Sequence, residues 1–144
     1  MKANISKRLE EIIMALPLKE GQRILEIGCG TGVIAREIAK RLNKVYVLGL
    51  DRSPQAIEQC MHSSQSDIAN GKLEFRRGVI EDFTFEGKKL FDFAFGIRVG
   101  ALDGRHPEIS EKAFSNIAKA LKANGKLFID GGSPQLEVDI EQYR

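Results

Sequence analysis

The sequence predicts an α/β fold, a doubly wound, mostly parallel sheet of about five or six strands with helices on both faces. Short apolar runs alternate with segments whose apolar residues recur at helical spacing. The first of these runs stops at a cluster of glycines, as a buried parallel strand does when it feeds a tight turn into a helix. The chain has 144 residues, 42% hydrophobic and 29% charged, so residues 1–144 suffice for one folded unit that needs no disulfide or metal to hold it.

Ile5, Leu9, Ile12, Ile13 and Leu16 share one helical face, and Pro17 closes this N-terminal helix, within residues 1–17. Arg23 to Ile27 is the first strand, and the next helix turns Ile34, Ala35, Ile38, Ala39 and Leu42 inward, with Asn43 as its terminator. Val45 to Leu50 is the second strand, closed by Asp51. Ser53-Pro54 starts a helix, the hydroxyl capping free amides and the proline occupying the first turn, with Ile57, Cys60 and Met61 inward. Further strands are predicted at Lys72–Arg76, Phe91–Ile97 and Lys126–Asp130. Between the last two, Ile109, Ala113, Phe114, Ile117, Ala120 and Leu121 mark a helix that Asn124-Gly125 would end with a left-handed cap. Leu136, Val138 and Ile140 alternate, so Gly131-Gly132-Ser133-Pro134 would turn the tail, residues 131–144, into one short antiparallel strand.

Composition narrows the function. Net charge is +2 with both signs interleaved, and the basic pairs Lys7-Arg8, Arg76-Arg77 and Lys88-Lys89 lie near carboxylates, so they read as solvated surface and no nucleic-acid partner is implied. Cys29 and Cys60 show no zinc-ligand spacing, so no metal is expected and both read as free thiols in a reducing compartment. No stretch is long enough to cross a membrane, and Met1-Lys2-Ala3-Asn4 lacks the apolar core of a signal peptide, which makes the cytoplasm the expectation.

The densest chemical signal is Gly28-Cys29-Gly30-Thr31-Gly32, glycines at alternate positions between a strand and a helix. Glycine there permits the sharp turn and lets a ligand touch backbone. Asp51 ends the next strand, where a carboxylate can accept hydrogen bonds from both hydroxyls of a ribose. Together they point to a nucleoside. A dinucleotide site asks for G-x-G-x-x-G, but this chain has Val33 at the last position, and Glu26 beside the loop suits an ammonium group and repels a pyrophosphate.

Glu26-Ile27-Gly28-Cys29-Gly30-Thr31-Gly32, Asp51, Arg77-Gly78-Val79-Ile80-Glu81-Asp82-Phe83 and Phe91-Asp92-Phe93-Ala94-Phe95 together resemble the class I S-adenosylmethionine-dependent methyltransferases, across nearly the whole chain. That resemblance implies a Rossmann-like sheet and S-adenosylmethionine as cofactor, leaving S-adenosylhomocysteine as product. It implies that backbone at Gly28, Cys29 and Gly30 lines the methionyl-ribose part, that Glu26 helps hold the amino group, that Asp51 binds the ribose hydroxyls and that Arg52 lies against the adenine. The family's aspartate for the adenine amino group is replaced by Val79, leaving Ile80 to flank the ring and Glu81 or Asp82 as substitute acceptors or as a solvated pair. The Gly96 carbonyl would face the cofactor amino group. Cys29 reads as a small residue beside the loop and not as a catalytic thiol.

Methyl transfer from a sulfonium is an in-line displacement, so alignment dominates and a base is needed only when the acceptor is protonated. The loop after the fourth strand, Arg98 to Pro107, is the segment expected to face a small-molecule acceptor, with Asp103 and His106 as candidate catalytic bases; no Asn-Pro-Pro-Tyr-like sequence follows that strand. Full family members close the sheet with two more strands, so the C-terminally shortened sheet suggests a homodimer or partner subunit at its edge. The alternatives are a regulatory or partner-completed module that binds the cofactor without its own substrate site, and an NAD-dependent oxidoreductase, which Val33 opposes.

Overall fold

The computed structural model describes residues 5–87, 89–132 and 135–144. The order is α1 (Lys7–Ala15), β1 (Gln22–Ile27), α2 (Val33–Arg41), β2 (Val45–Asp51), α3 (Pro54–Ser63), α4 (Gln65–Ala69), β3 (Leu73–Arg77), β4 (Phe91–Gly96), α5 (Pro107–Ala120), β5 (Leu121–Asp130) and β6 (Gln135–Val138), with single 3-10 turns at Ile80–Asp82 and Glu141–Tyr143. The strands form one sheet in the order β3-β2-β1-β4-β5-β6. All neighbouring pairs are parallel except β5 and β6, so the expected antiparallel last strand is present.

Apolar side chains on both faces of the central strands explain the layers. Ile24 of β1 with Phe93 and Phe95 of β4 pack in the core that contains Ile13 of α1, Ile34 and Ile38 of α2 and Ile57 of α3. Leu25 and Ile27 on the opposite face join Ala113 and Ile117 of α5. Local signals set the helix starts, for Ser6 Oγ accepts the Leu9 amide at 3.2 Å and Ser53 Oγ accepts the Ala56 amide at 3.1 Å, the latter with Pro54 in the first turn.

The structure corrects the sequence reading at three places. Asn124-Gly125 does not cap α5, which ends at Ala120; both residues belong to β5. Pairing steps from Phe91–Leu121 to Phe93–Lys126, so Lys122–Gly125 bulge from the ladder. Gly125 is needed there for close packing, because a Cβ would stand 3.0 Å from Leu121 Cβ and 3.2 Å from the Asp92 carbonyl oxygen. Met61 is not inward but 51% exposed, since the buried stripe of α3 steps from Ile57 to Cys60 and on to Ser64. Leu42, one residue before Asn43, already has extended backbone and ends α2. Ser133-Pro134 of the expected turn, Lys88 of its basic pair and residues 1–4 of the expected unprocessed start lie outside the described residues.

Candidate functional site

Strand order reverses between β1 and β4, and a cavity of about 280 Å³ opens there at the carboxyl ends of the strands. Gly28 follows β1, Asp51 closes β2, Val79 and Ile80 follow β3, and Arg98 to Ala101 follow β4; all line the cavity. The 3-10 turn that presents Ile80 is held by α5, whose Asn116 Nδ2 donates to the carbonyl oxygens of Ile80 at 3.0 Å and Glu81 at 2.9 Å.

The glycine loop owes its shape to backbone that other residues resist. Gly32, at φ 85°, caps α2, and a Cβ there would lie 2.8 Å from Arg36 Nη1 and 3.2 Å from Cys60 Sγ. Gly28, at φ 72°, would press a Cβ to 2.9 Å from Val99 Cγ2. Arg36, in the first turn of α2, clips the loop by donating to the Thr31 carbonyl oxygen at 2.7 Å and to Ser64 Oγ at 3.3 Å.

Asp51 joins loop to cavity. Its Oδ2 accepts the Gly30 amide and its Oδ1 the Ser53 amide, each at 2.9 Å. Each carboxylate oxygen has two acceptor positions, so one remains on each for a ligand. Beside it, a Cβ on Gly30 would meet no protein atom within 4 Å, which leaves backbone open to close approach. Spare acceptors beside open glycine backbone fit the ribose of a nucleoside cofactor.

Glu26 lies beneath this loop, 3% exposed, with Oε1 buried and unpartnered. Burial pushes its pKa up to about 8, helped by Cys60 and Asp51 nearby and opposed by Arg36. Among the sequence-predicted cofactor residues, Gly28, Asp51, Arg52, Val79 and Ile80 line the cavity. Glu26, Cys29, Gly30 and Gly96 lie outside its lining. His106 lines the cavity and Asp103 does not. Arg105 hydrogen-bonds the Asp103 carboxyl and holds it below the usual carboxylate range.

Sequence reasoning missed what reaches this end of the sheet from afar. Arg98 is the one non-glycine residue at positive φ among those described, 59°, and its amide donates to Asp130 Oδ1 at 2.9 Å. The other oxygen of Asp130 holds Arg8 of α1 at 3.1 Å. No local sequence signal marks such a contact.

Residues 24–125 match the family described as "Methyltransferase domain". The O-methyltransferase rstn1 of Aspergillus nomiae is 32% identical over 133 residues, covering 89% of this chain and 56% of the relative. A sterol 24-C-methyltransferase of Debaryomyces hansenii is 30% identical over 110 residues, covering 76% and 28%. The chain therefore spans about half the length of the first relative and less of the second. Phosphoethanolamine N-methyltransferase 2 of Haemonchus contortus, solved with S-adenosyl-L-methionine, superposes with a TM-score of 0.69 at 28% identity, over 85% of this chain and 27% of that one. The matched span runs from β1 to the bulge of β5 and so takes in the glycine loop, Asp51 and the whole cavity edge, and by that match the chain belongs to the class I S-adenosylmethionine-dependent methyltransferases.

Proposed function

We propose that this chain carries the cofactor site of an S-adenosylmethionine-dependent methyltransferase acting on a small-molecule acceptor. The observation that carries the reading is the Asp51 carboxylate, fixed by two backbone amides and still holding free acceptor positions at the cavity wall. Asp51 would accept both ribose hydroxyls, Ile80 and Val79 would give the adenine an apolar face, and Arg52 would cover it. Glu26, buried and lacking a partner at Oε1, would receive the amino group, with backbone of Gly28 to Gly30 and the Gly96 carbonyl completing that end.

The bound cofactor supplies a methyl group on a positively charged sulfur. The chain's task is to orient and desolvate, because alignment of nucleophile, methyl and sulfur carries most of the rate gain in such a displacement. Arg98 to Ala101, with Arg105 and His106, wall the acceptor side. His106, whose Nδ1 lies 3.4 Å from Glu108 Oε1, is the candidate base on that wall. Asp103, engaged by Arg105, is the weaker base. The relatives named above act at oxygen, carbon and nitrogen, so the acceptor atom follows from the loop after β4 and not from the cofactor half.

Calorimetric titration with S-adenosylhomocysteine tests this reading. Micromolar binding by wild type that falls at least about tenfold in Asp51→Ala is expected, the size of losing charge-assisted hydrogen bonds to a buried ligand. Equal binding by both, or a preference for NADH, overturns it. Two further parts belong to the proposal: a cytoplasmic setting, consistent with two free cysteines, and pairing of two copies along the open side of β6, where Leu136 is half exposed. A monomer by sedimentation velocity at micromolar concentration counts against the second.

A further inference from the structure

Cys29 and Cys60 are far apart in sequence but meet beneath the glycine loop. Cys60 Sγ donates to the Gly30 carbonyl oxygen at 3.1 Å, and Cys29 Sγ reaches the same oxygen at 3.8 Å. Cys60 is fully buried and Cys29 is 7% exposed. The space both sulfurs occupy is left by glycines on either side. A Cβ at Gly49 would stand 3.1 Å from Cys29 Sγ, and one at Gly32 would stand 3.2 Å from Cys60 Sγ. Neither thiol lines the cavity, and the proposed transfer reaction uses neither.

We propose that Cys29 and Cys60 form a reversible dithiol–disulfide pair whose oxidation loosens the glycine loop and weakens cofactor binding. The bond itself is independent of the proposed function; the effect on cofactor rests on it. The two thiols are unequal. Each is the chief influence on the other, Cys29 lowering the pKa of Cys60 with help from the Arg36 charge, while the partner thiol and burial push Cys29 up. With the lower pKa of the two, Cys60 takes the attacking role and Cys29 the resolving one.

A peroxide is small enough to serve as oxidant. The Cys60 sulfur attacks one peroxide oxygen, the O–O bond breaks, one water leaves and a sulfenic acid remains. The Cys29 sulfur then attacks the Cys60 sulfur, the S–O bond breaks and a second water leaves, carrying the Cys29 proton. Two thiols have then lost two hydrogens and two electrons to one hydrogen peroxide. The sulfurs must close to roughly 2.05 Å, and neither retains a hydrogen. The Gly30 carbonyl thereby loses its sulfur donors, while the Gly30 amide is the group that anchors the loop to Asp51. A change at one peptide of Gly30 is thus transmitted to the carboxylate proposed to hold the ribose.

The test treats the full chain with hydrogen peroxide alone, then alkylates it. Peptide mass spectrometry, hydrogen exchange across residues 28–32 and titration with S-adenosylhomocysteine follow. The expected result is a Cys29–Cys60 linked peptide, faster exchange in the loop and about tenfold weaker binding, all reversed by dithiothreitol. Cys60→Ser keeps a hydroxyl donor towards Gly30 and should bind like the reduced wild type, with peroxide leaving it unchanged. Sulfinic acid or two alkylatable thiols without the linked peptide overturn the proposal, as does a linked peptide with unaltered exchange. Failure of the reduced protein to bind S-adenosylhomocysteine would instead count against the proposed function, while the linked peptide and the exchange still decide the pair.

Discussion

Glu26 is the one buried carboxyl among the described residues. Its carboxyl is buried, its pKa is raised from 4.5 to about 8, and one oxygen has no partner. An acid whose folded pKa exceeds its unfolded value keeps its proton in the fold after the unfolded chain has released it. Stability therefore falls as pH rises from about 4.5 towards about 8, by on the order of a few kcal/mol at the upper limit. In cofactor-free protein, Glu26→Gln should remove this slope and gain on wild type between about pH 5 and about pH 8 in urea unfolding. Parallel stability profiles for the two proteins would show that the carboxyl ionises as readily folded as unfolded. The glycine loop and Asp51 could be placed at the strand ends because a positive-φ turn and a strand-closing carboxylate leave a local mark in sequence. The meeting of Cys29 with Cys60 leaves no such mark, because nothing near either residue in sequence refers to the other.

At the level of the element, the strand-to-helix junction of β1 and α2 carries the most constraint. Gly32 combines a left-handed φ of 85° with a neighbourhood that has no room for a methyl group. Gly32→Ala should cost about 1 kcal/mol for the backbone and more for displacing Arg36 and Cys60, visible as a lower denaturation midpoint together with weaker S-adenosylhomocysteine binding. An unchanged midpoint would mean that the loop adopts another turn at no cost. The helix start at Ser53 and the antiparallel β6 followed from capping chemistry and alternation, whereas the Ser6 cap of α1 was not read. Nor did the end of α5 follow. Asn124-Gly125 is a proper helix-stop signal by local rules, but Leu121 pairs with Phe91 and draws the chain into the sheet earlier, so the glycine serves a bulge. Met61 was misplaced for a similar reason, since a short helix face is set by which residues the sheet receives.

Across the molecule, the sheet centre holds the layers together. Phe95 is fully buried on β4 between β1 and β5, in the core shared with α1 and α2. Phe95→Ala should lose about 3–5 kcal/mol, measured by chemical denaturation, and a loss under about 1 kcal/mol would show that this side of the sheet can collapse around the gap. Alternating strands and helices made the whole-molecule plan readable, and the reversal of strand order then located the cavity. Long-range polar contacts escape any such reading, and Asp130 is the clearest. It fastens Arg8 of the first helix and the strained Arg98 amide of the loop after β4. Arg8 and Asp130 stand 122 positions apart, so their ion pair closes a loop of chain around almost the whole sheet. One carboxylate thereby ties two remote stretches of sequence to the cavity wall, so losing the Arg8 contact frees an oxygen of the same group that fixes the Arg98 amide.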